Sequence, residues 1–421
     1  MQKETKCVQS GYTPANGEPR AVPIAMSTTY KYDSAETVGD LFDLKAAGFF
    51  YTRLANPTTA AVEAKIADLE GGPAAMITAS GMSATLLAIL NVASAGDHIV
   101  SAGEIYGGTA NLFAVTLKRM GIGFTFVDIN DLRAVEAAIT PDTKAVFGET
   151  IANPALTVMD TEGVAAVARK HGIPLIVDAT FATPVLCRPF EWGADVVVHS
   201  SSKYIDGHAV ALGGVIVESG KFDWAKSGKF PSFTAPDESY HGLVYCRDFS
   251  AAPFITKARV QLMRDLGAAP SPMNAFLMNL GLETLHLRMP RHSQNALAAA
   301  EFLSKQRRII SVKYPGLKTD PDYARAQKYL DNGHASGVVT FDIGDRESAV
   351  KFMNALRLAS IVVHVADAKT SVLHPASSTH RQLTDAQLAA AGIGPGTIRL
   401  SVGIENIDDI IADLERALRS L

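Results

Sequence analysis

Several acidic, basic and hydroxyl residues of this chain stand at the ends of short apolar runs, where a buried strand has no use for them. The run PLIVDAT ends in Asp178, and ADVVVHS leads into Ser200, Ser201, Ser202 and Lys203. AAMITAS leads into Ser80, Gly81 and Met82 at a helix start. KAVFGET is followed by Asn153 within IANP, and HIVSAG by Tyr106, Gly107 and Gly108. Brought to one side of one sheet, these residues would assemble an acid, an amine, hydroxyls, free backbone amides and an aromatic ring. An amine can attack an aldehyde, and a carboxylate can hold a proton on a ring nitrogen. A glycine turn at a helix N-terminus offers N–H groups and a positive dipole end to a phosphate.

These are the parts of a pyridoxal 5'-phosphate (PLP) site. Lys203 would take the aldehyde and Asp178 the pyridine nitrogen. The turn at Gly81 and Met82 would take the phosphate with Ser200 and Ser202, and Tyr106 would stack on the ring. Each element alone has an ordinary explanation. An Asp after a strand often caps a turn, a lysine is usually solvated, and S-G-M after a strand can be a plain strand-to-helix turn. The order phosphate loop, tyrosine, asparagine, aspartate, lysine along one chain carries the reading.

The elements that must position these residues alternate. Candidate strands are 74–80, 98–103, 123–128, 144–150, 174–180, 194–200 and 213–219, with helical windows at 82–93, 108–120, 131–138 and 161–171 between them. Continuous apolar runs mark strands covered on both faces, and strand–helix alternation implies βαβ units in a mostly parallel sheet. Sites in such sheets lie at the carboxyl ends of the strands. Residues 1–60 read as an arm of Pro, Thr and Tyr pieces with one amphipathic stretch at 38–47, too poor in core to stand alone and expected to pack on a neighbouring subunit. Residues 61–255 form the large α/β domain. Residues 256–421 form a smaller α/β domain with a long helix at 273–305, strands at 336–344, 361–366 and 396–405, a helix at 346–357 and a terminal helix.

Composition bounds the rest. In 421 residues, Lys+Arg 39 against Asp+Glu 43 gives a net charge of −4, which argues against a general nucleic-acid or anionic-membrane binder. Hydrophobic content of 47% and a mean hydropathy of +0.11 predict large cores, with faces hidden at subunit contacts. No apolar run reaches a membrane span, and the start does not read as a signal peptide. The three cysteines, Cys7, Cys187 and Cys246, are widely spaced, so a reducing, cytoplasmic setting is expected and no disulfide framework or zinc site.

The chain resembles the Cys/Met-metabolism family of fold type I PLP enzymes, which includes cystathionine γ-synthases, γ-lyases and O-acetylhomoserine sulfhydrylases. The resemblance rests on AVPIAMSTTY, FYTRLANPTTAAVEAKIADLEGG, ASGMSA, GDHIVSAGEIYGGT, IANP, VDATFATP, VVVHSSSKYIDGH, HPASSTH and IRLSVGIE, over nearly the whole chain. It implies a fold type I transferase architecture. Lys203 would be the covalent cofactor lysine and Asp178 the partner of the ring nitrogen, with Gly81, Met82, Ser200 and Ser202 on the phosphate. Tyr106 would stack and assist proton transfer, Asn153 would bond the phenolic oxygen, and Arg399 would clamp the substrate α-carboxylate. Tyr51 and Arg53 would reach a neighbouring subunit's phosphate, Tyr51 also touching substrate, in a homotetramer of site-sharing dimers.

Within the family, YGGTANLF, the 220–245 segment and HPASSTHRQLT resemble the O-acetylhomoserine sulfhydrylase branch, and Gly108 stands where methionine γ-lyases carry cysteine. The implied reaction is γ-substitution on O-acetyl-L-homoserine by sulfide or a small thiol, giving homocysteine or methionine and acetate, within methionine biosynthesis. A γ-lyase, or a γ-substitution of secondary metabolism with a carbon nucleophile, are the alternatives. Departures from the pattern are Ser202 for threonine, YIDGHAVALGG with Asp206, Ala209, Val210 and Ala211 after the lysine, and His364-Val365-Ala366-Asp367 where N/S-L-G-D is usual.

Other chemistries fit less well. Ser200 to Lys203 satisfies S-x-x-K, but Lys369-Thr370-Ser371 fails the K-T-G that acyl-serine hydrolases need. A non-catalytic binding protein on the same scaffold has no use for Lys203, Asp178 and Arg399 together. Gly121-Ile122-Gly123 lacks the third glycine of a dinucleotide loop. His374 and His380 have no acidic or thiol partner nearby in sequence, so no metal is expected.

Overall fold

The computed structural model describes residues 1–378, 381 and 393–421. All seven expected strands of the first sheet form: β1 (Ala74–Thr78), β2 (His98–Ala102), β3 (Gly123–Val127), β4 (Thr143–Glu149), β5 (Leu175–Asp178), β6 (Val196–His199) and β7 (Gly214–Glu218). Their order is β1-β7-β6-β5-β4-β2-β3. The pairs β6–β5, β5–β4, β4–β2 and β2–β3 are parallel, while β7 runs antiparallel to both neighbours. The central strands are buried almost without interruption, as the continuous apolar runs require. Strands β1, β2, β4, β5 and β6 therefore end on the same edge.

Helices cover this sheet, each set by local signals. Helix Pro57–Glu70 starts with Asn56 accepting from the Thr58 N–H and a proline in its first turn, and stops at Gly71 with φ +82°. Helix Gly81–Val92 starts on Ser80, whose hydroxyl accepts from the Ser83 N–H.

The second sheet has the order β10-β11-β12-β9-β8, with β8 (Ser311–Lys313), β9 (Val338–Asp342), β10 (Ser360–Ile361), β11 (Ser371–Leu373) and β12 (Thr397–Ser401). The 33-residue helix Pro272–Ser304 packs against helix Pro57–Glu70 on one side and against β8, β9 and the terminal helix Ile407–Arg419 on the other, tying the two sheets together.

Two expectations change. The run at 361–366 is not a strand: pairing ends at Ile361, Val363 is 69% exposed, and Ala366 turns back with φ +69°. Its apolar character serves the rim of a cavity rather than a sheet. The short strands β8 and β11 lie in stretches with no strand signal. The first helix packs within its own chain. Helix Lys3–Gln9 docks on the chain's own helices Pro57–Glu70 and Pro272–Ser304, burying Cys7 completely, and Lys6 Nζ donates to the Asp68 carbonyl at 2.9 Å. Of the HPASSTH and RQLT motifs, Thr379, His380 and the residues from Gln382 lie outside the described residues.

Candidate active site

The carboxyl edge of the first sheet and the rim of the second enclose a cavity of 490 Å³. Gly81, Met82, Tyr106, Asn153 and Asp178 line it, and so do Ser200, Ser202, Lys203 and Arg399. Tyr51 and Arg53 do not. Tyr51 is 39% exposed, and Arg53 lies 5.2 Å over its ring and donates to the Arg264 carbonyl at 2.6 Å, on a separate surface cleft.

One end of the cavity is built for an anion. The N–H groups of Gly81 and Met82 open helix Gly81–Val92 and have no intrahelical partner to spend themselves on. A Cβ at position 81 would stand 2.6 Å from Ser200 Cβ and 2.8 Å from its Cα, so only glycine lets the helix start meet this serine. The turn is held from the β5 side as well. Thr180 N–H donates to Asp178 Oδ1 at 2.9 Å, and the Thr180 hydroxyl accepts from the Ser200 N–H at 2.8 Å. Ser202 faces the cavity, but its hydroxyl is engaged with Gly213, accepting from that N–H at 3.1 Å.

The floor holds two carboxylates. Glu149 ends β4 opposite Asp178 at the end of β5. Burial pushes both carboxyl groups above the ordinary range, Glu149 well above it because the charge of Asp178 adds to burial. Both oxygens of Glu149 are used: Oε1 accepts from the Tyr106 N–H at 2.7 Å and Oε2 from the Asn153 N–H at 3.2 Å. One carboxylate thus ties together the loops that carry Tyr106 and Asn153. Tyr106 has room because Gly108 lies beneath its ring, where a Cβ would come 2.5 Å from Cε1.

The opposite wall is cationic. Arg399 on β12 is buried and donates to Asn153 Oδ1 at 3.2 Å and to the Val363 carbonyl at 3.3 Å. Lys203 Nζ lies 3.2 Å from His364 Nδ1. Burial first, and then the charge of Arg399, bring the Lys203 amine down to about 8, against an opposing pull from Asp367. About a tenth of such an amine is neutral at pH 7, far more than of an ordinary lysine, and the neutral form is the nucleophile and proton acceptor.

Sequence reasoning missed Glu149 and Thr180 and gave His364 no role. Glu149 carried the same signal as Asp178, an acid closing an apolar strand. Thr180 follows Asp178 by two residues and reads as a turn residue until the Ser200 contact is visible. His374, weighed as a ligand, has both ring nitrogens engaged, with Ser377 Oγ and the Pro395 carbonyl, each at 2.8 Å.

A doubly wound α/β sheet with a lysine, an acid, a glycine-cradled helix start and a buried arginine on one cavity defines a PLP enzyme of the fold type I class. Residues 4–419 match the Cys/Met metabolism PLP-dependent enzyme family, and the chain belongs to it. It is an enzyme and its cofactor is PLP. It is 46% identical to the O-acetyl-L-homoserine sulfhydrylase of Leptospira meyeri over 100% of this chain and 97% of that one. It is 47% identical to the O-acetyl-L-homoserine sulfhydrylase of Corynebacterium glutamicum over 98% and 95% of the two chains. A homocysteine synthase of Schizosaccharomyces pombe is 46% identical over 99% and 97%. A solved Campylobacter jejuni chain carrying N'-pyridoxyl-lysine-5'-monophosphate superposes with a TM-score of 0.97 at 39% identity, covering all of both chains.

Proposed function

We propose that this enzyme carries out γ-substitution on O-acetyl-L-homoserine, with sulfide or a small thiol as nucleophile, giving homocysteine or methionine and acetate. What carries the reading is the convergence of Lys203, Asp178, the helix start at Gly81 and Arg399 on one 490 Å³ cavity, in a chain whose full-length relatives bear sulfhydrylase and homocysteine synthase names.

PLP, when bound, supplies an electron sink for the pair left on carbon as a proton departs. Lys203 would hold its aldehyde carbon, and Asp178 would face its ring nitrogen. The Gly81 and Met82 amides, with the Ser200 and Ser202 hydroxyls, would hold the phosphate. Tyr106 would cover the ring and Asn153 would face the phenolic oxygen. Arg399 binds the substrate α-carboxylate by two N–H groups, which fixes the amino acid with its α-hydrogen toward Lys203. The neutral Lys203 amine accepts the α-proton and, once it has given that proton up, the β-proton, and both carbons are reprotonated after the sulfur nucleophile has added. Acetate leaves the γ-carbon and the sulfur nucleophile takes its place. Val210, Leu212 and Val363 give the cavity an apolar, exposed rim.

The same reading has the arm at 1–60 contact a neighbouring copy, while its first helix, Lys3–Gln9, stays on its own chain. Tyr51 and Arg53 lie outside their own cavity, and in a homotetramer of site-sharing dimers they would close the phosphate end of a neighbour's. It divides the rest into a PLP-binding domain at 61–255 and a smaller domain at 256–421, in a cytoplasmic enzyme. Among the described residues, no helix is long and apolar enough to cross a membrane.

Product analysis with and without sulfide tests the reaction. Homocysteine and acetate should form in equal amounts and only with sulfide present. Keto acid formed equally fast in both conditions would assign elimination instead.

A further inference from the structure

The mouth of the cavity is apolar while its interior is charged. Val210, Leu212 and Val363 line the cavity yet are 63%, 67% and 69% exposed, so three branched side chains meet solvent at the entrance to a site that holds Lys203 and Arg399. Apolar surface grouped at the mouth of a cavity marks a place where a ligand sits. The backbone holds this rim in place. Asp206, itself buried, accepts at Oδ2 from the Val210 N–H at 3.0 Å and from the His208 N–H at 3.3 Å. Ala209 has φ +58°, a left-handed conformation that is strained for a residue with a Cβ. Asn274 Nδ2 donates to the Leu212 carbonyl at 2.9 Å. The Ala368 N–H donates to the Gly207 carbonyl at 2.9 Å, which joins this loop to the one that carries Val363. Strain and hydrogen bonds thus hold apolar side chains out of the core and at the entrance. Asp206, Ala209 and Val210 are also positions at which the chain departs from its family's pattern. A departure confined to the mouth alters which nucleophile is favoured and leaves the chemistry at Lys203 as it is.

We propose that Val210, Leu212 and Val363 seat the carbon chain of an alkanethiol nucleophile, so that the enzyme's preference among thiols rises with the length of an uncharged alkyl chain. The proposal rests on the γ-substitution reading and narrows its nucleophile. The thiol reaches the γ-carbon from the open side of the cavity, because Arg399 holds the α-carboxylate at the inner wall. Its sulfur then lies inward and its chain lies on the rim, where apolar surface leaves water on both partners. Sulfide carries no chain and gains nothing there. In the net reaction the γ-carbon–oxygen bond breaks and acetate leaves with the electron pair. A γ-carbon–sulfur bond forms, the thiol proton passes to solvent, and the product is a thioether amino acid.

The test measures kcat/KM of PLP-loaded wild-type enzyme for methanethiol, ethanethiol and n-propanethiol with O-acetyl-L-homoserine, each expressed per concentration of thiolate. The basicity of the sulfur barely changes along this series, so the trend reads the contact made by the chain. Each added methylene should raise kcat/KM about 4-fold. In the double variant Val210→Thr/Leu212→Asn, which makes two exposed side chains polar at closely similar size, the step should fall to about 2-fold or less. A flat or falling trend in wild type overturns the proposal, whether a neighbouring copy covers the rim or the chain lies elsewhere. A rise that the double variant leaves intact overturns it too. So does a rise that follows the acyl chain of the ester, from O-acetyl to O-propionyl, and not the chain of the thiol, since the rim then seats the leaving group. Homocysteine formed from sulfide beside a flat alkanethiol trend overturns this proposal alone. Keto acid with every thiol and with sulfide, and no thioether or homocysteine, overturns the γ-substitution reading and this proposal with it.

Discussion

Glu149 and Asp178 lie side by side, paired residue to residue at the ends of parallel strands β4 and β5, two buried acids at the floor of one cavity. Only one of them has a stated partner in the cofactor. The other spends both its oxygens on backbone amides that shape the site.

Their proximity has a pH consequence. A carboxyl raised in the folded state binds more protons there than in the unfolded chain, so its contribution to stability falls as pH rises through and above the ordinary carboxylate range. For Glu149, burial and the Asp178 charge both act in this direction. In cofactor-free protein, wild type should lose at least about 1 kcal/mol relative to Glu149→Gln on going from about pH 5 to pH 8. Chemical unfolding at both pH values measures it, and parallel behaviour of the two proteins would refute the assignment.

Gly81→Ala drives a methyl group into the Ser200 backbone, 2.8 Å from its Cα. The helix start must back away from the serine, at a general cost of about 1–3 kcal/mol for overpacking. The phosphate cradle opens with it. We expect PLP affinity to drop about 5- to 150-fold, the same energy read at the cofactor, by absorbance titration of the stripped protein. A variant that binds PLP as wild type does would remove this turn from the phosphate site.

Arg399 depresses the Lys203 amine across the cavity, second only to burial. Removing that cation favours the ammonium, so in Arg399→Gln the Lys203 amine should titrate above about 8. The rate at which stripped enzyme takes up PLP requires neutral amine, and its rise with pH should shift upward in the variant. KM for the amino acid should rise as well, since a two-point contact with its carboxylate is lost. A pH profile that does not move would show that burial alone sets the amine.

Arg53 and Lys203 belong, on this account, to the same site only across two chains. Arg53→Ala and Lys203→Ala should each be severely impaired as pure proteins. Co-expressed, they form mixed dimers in which one site carries both native residues, so activity should return to a fraction of wild type. If the mixture stays as inactive as its components, each chain completes its own cavity.

Much of the fold was legible because the β4, β5 and β6 runs are apolar on both faces, and a buried parallel strand leaves that signature. The site was legible for the same reason: Asp178 and Lys203 are charges at the ends of such runs. What escaped notice depends on contacts far apart in sequence. Val363 is apolar yet exposed at a rim, so a strand was expected where the chain only skirts the cavity. Thr180 takes its meaning from Ser200, and His364 from Lys203, 161 residues away. Helix Lys3–Gln9 has too little apolar surface to announce itself and is held by docking on helices formed elsewhere.

A covalent bond between Lys203 and the cofactor is the chemistry on which every role at this site depends. Purified wild-type enzyme should absorb near the visible–ultraviolet border. After borohydride reduction and digestion, mass spectrometry should find the pyridoxyl phosphate group on the peptide containing Lys203, and Lys203→Ala should show neither the band nor the adduct. An adduct on any other lysine, or an unchanged spectrum in Lys203→Ala, would contradict it.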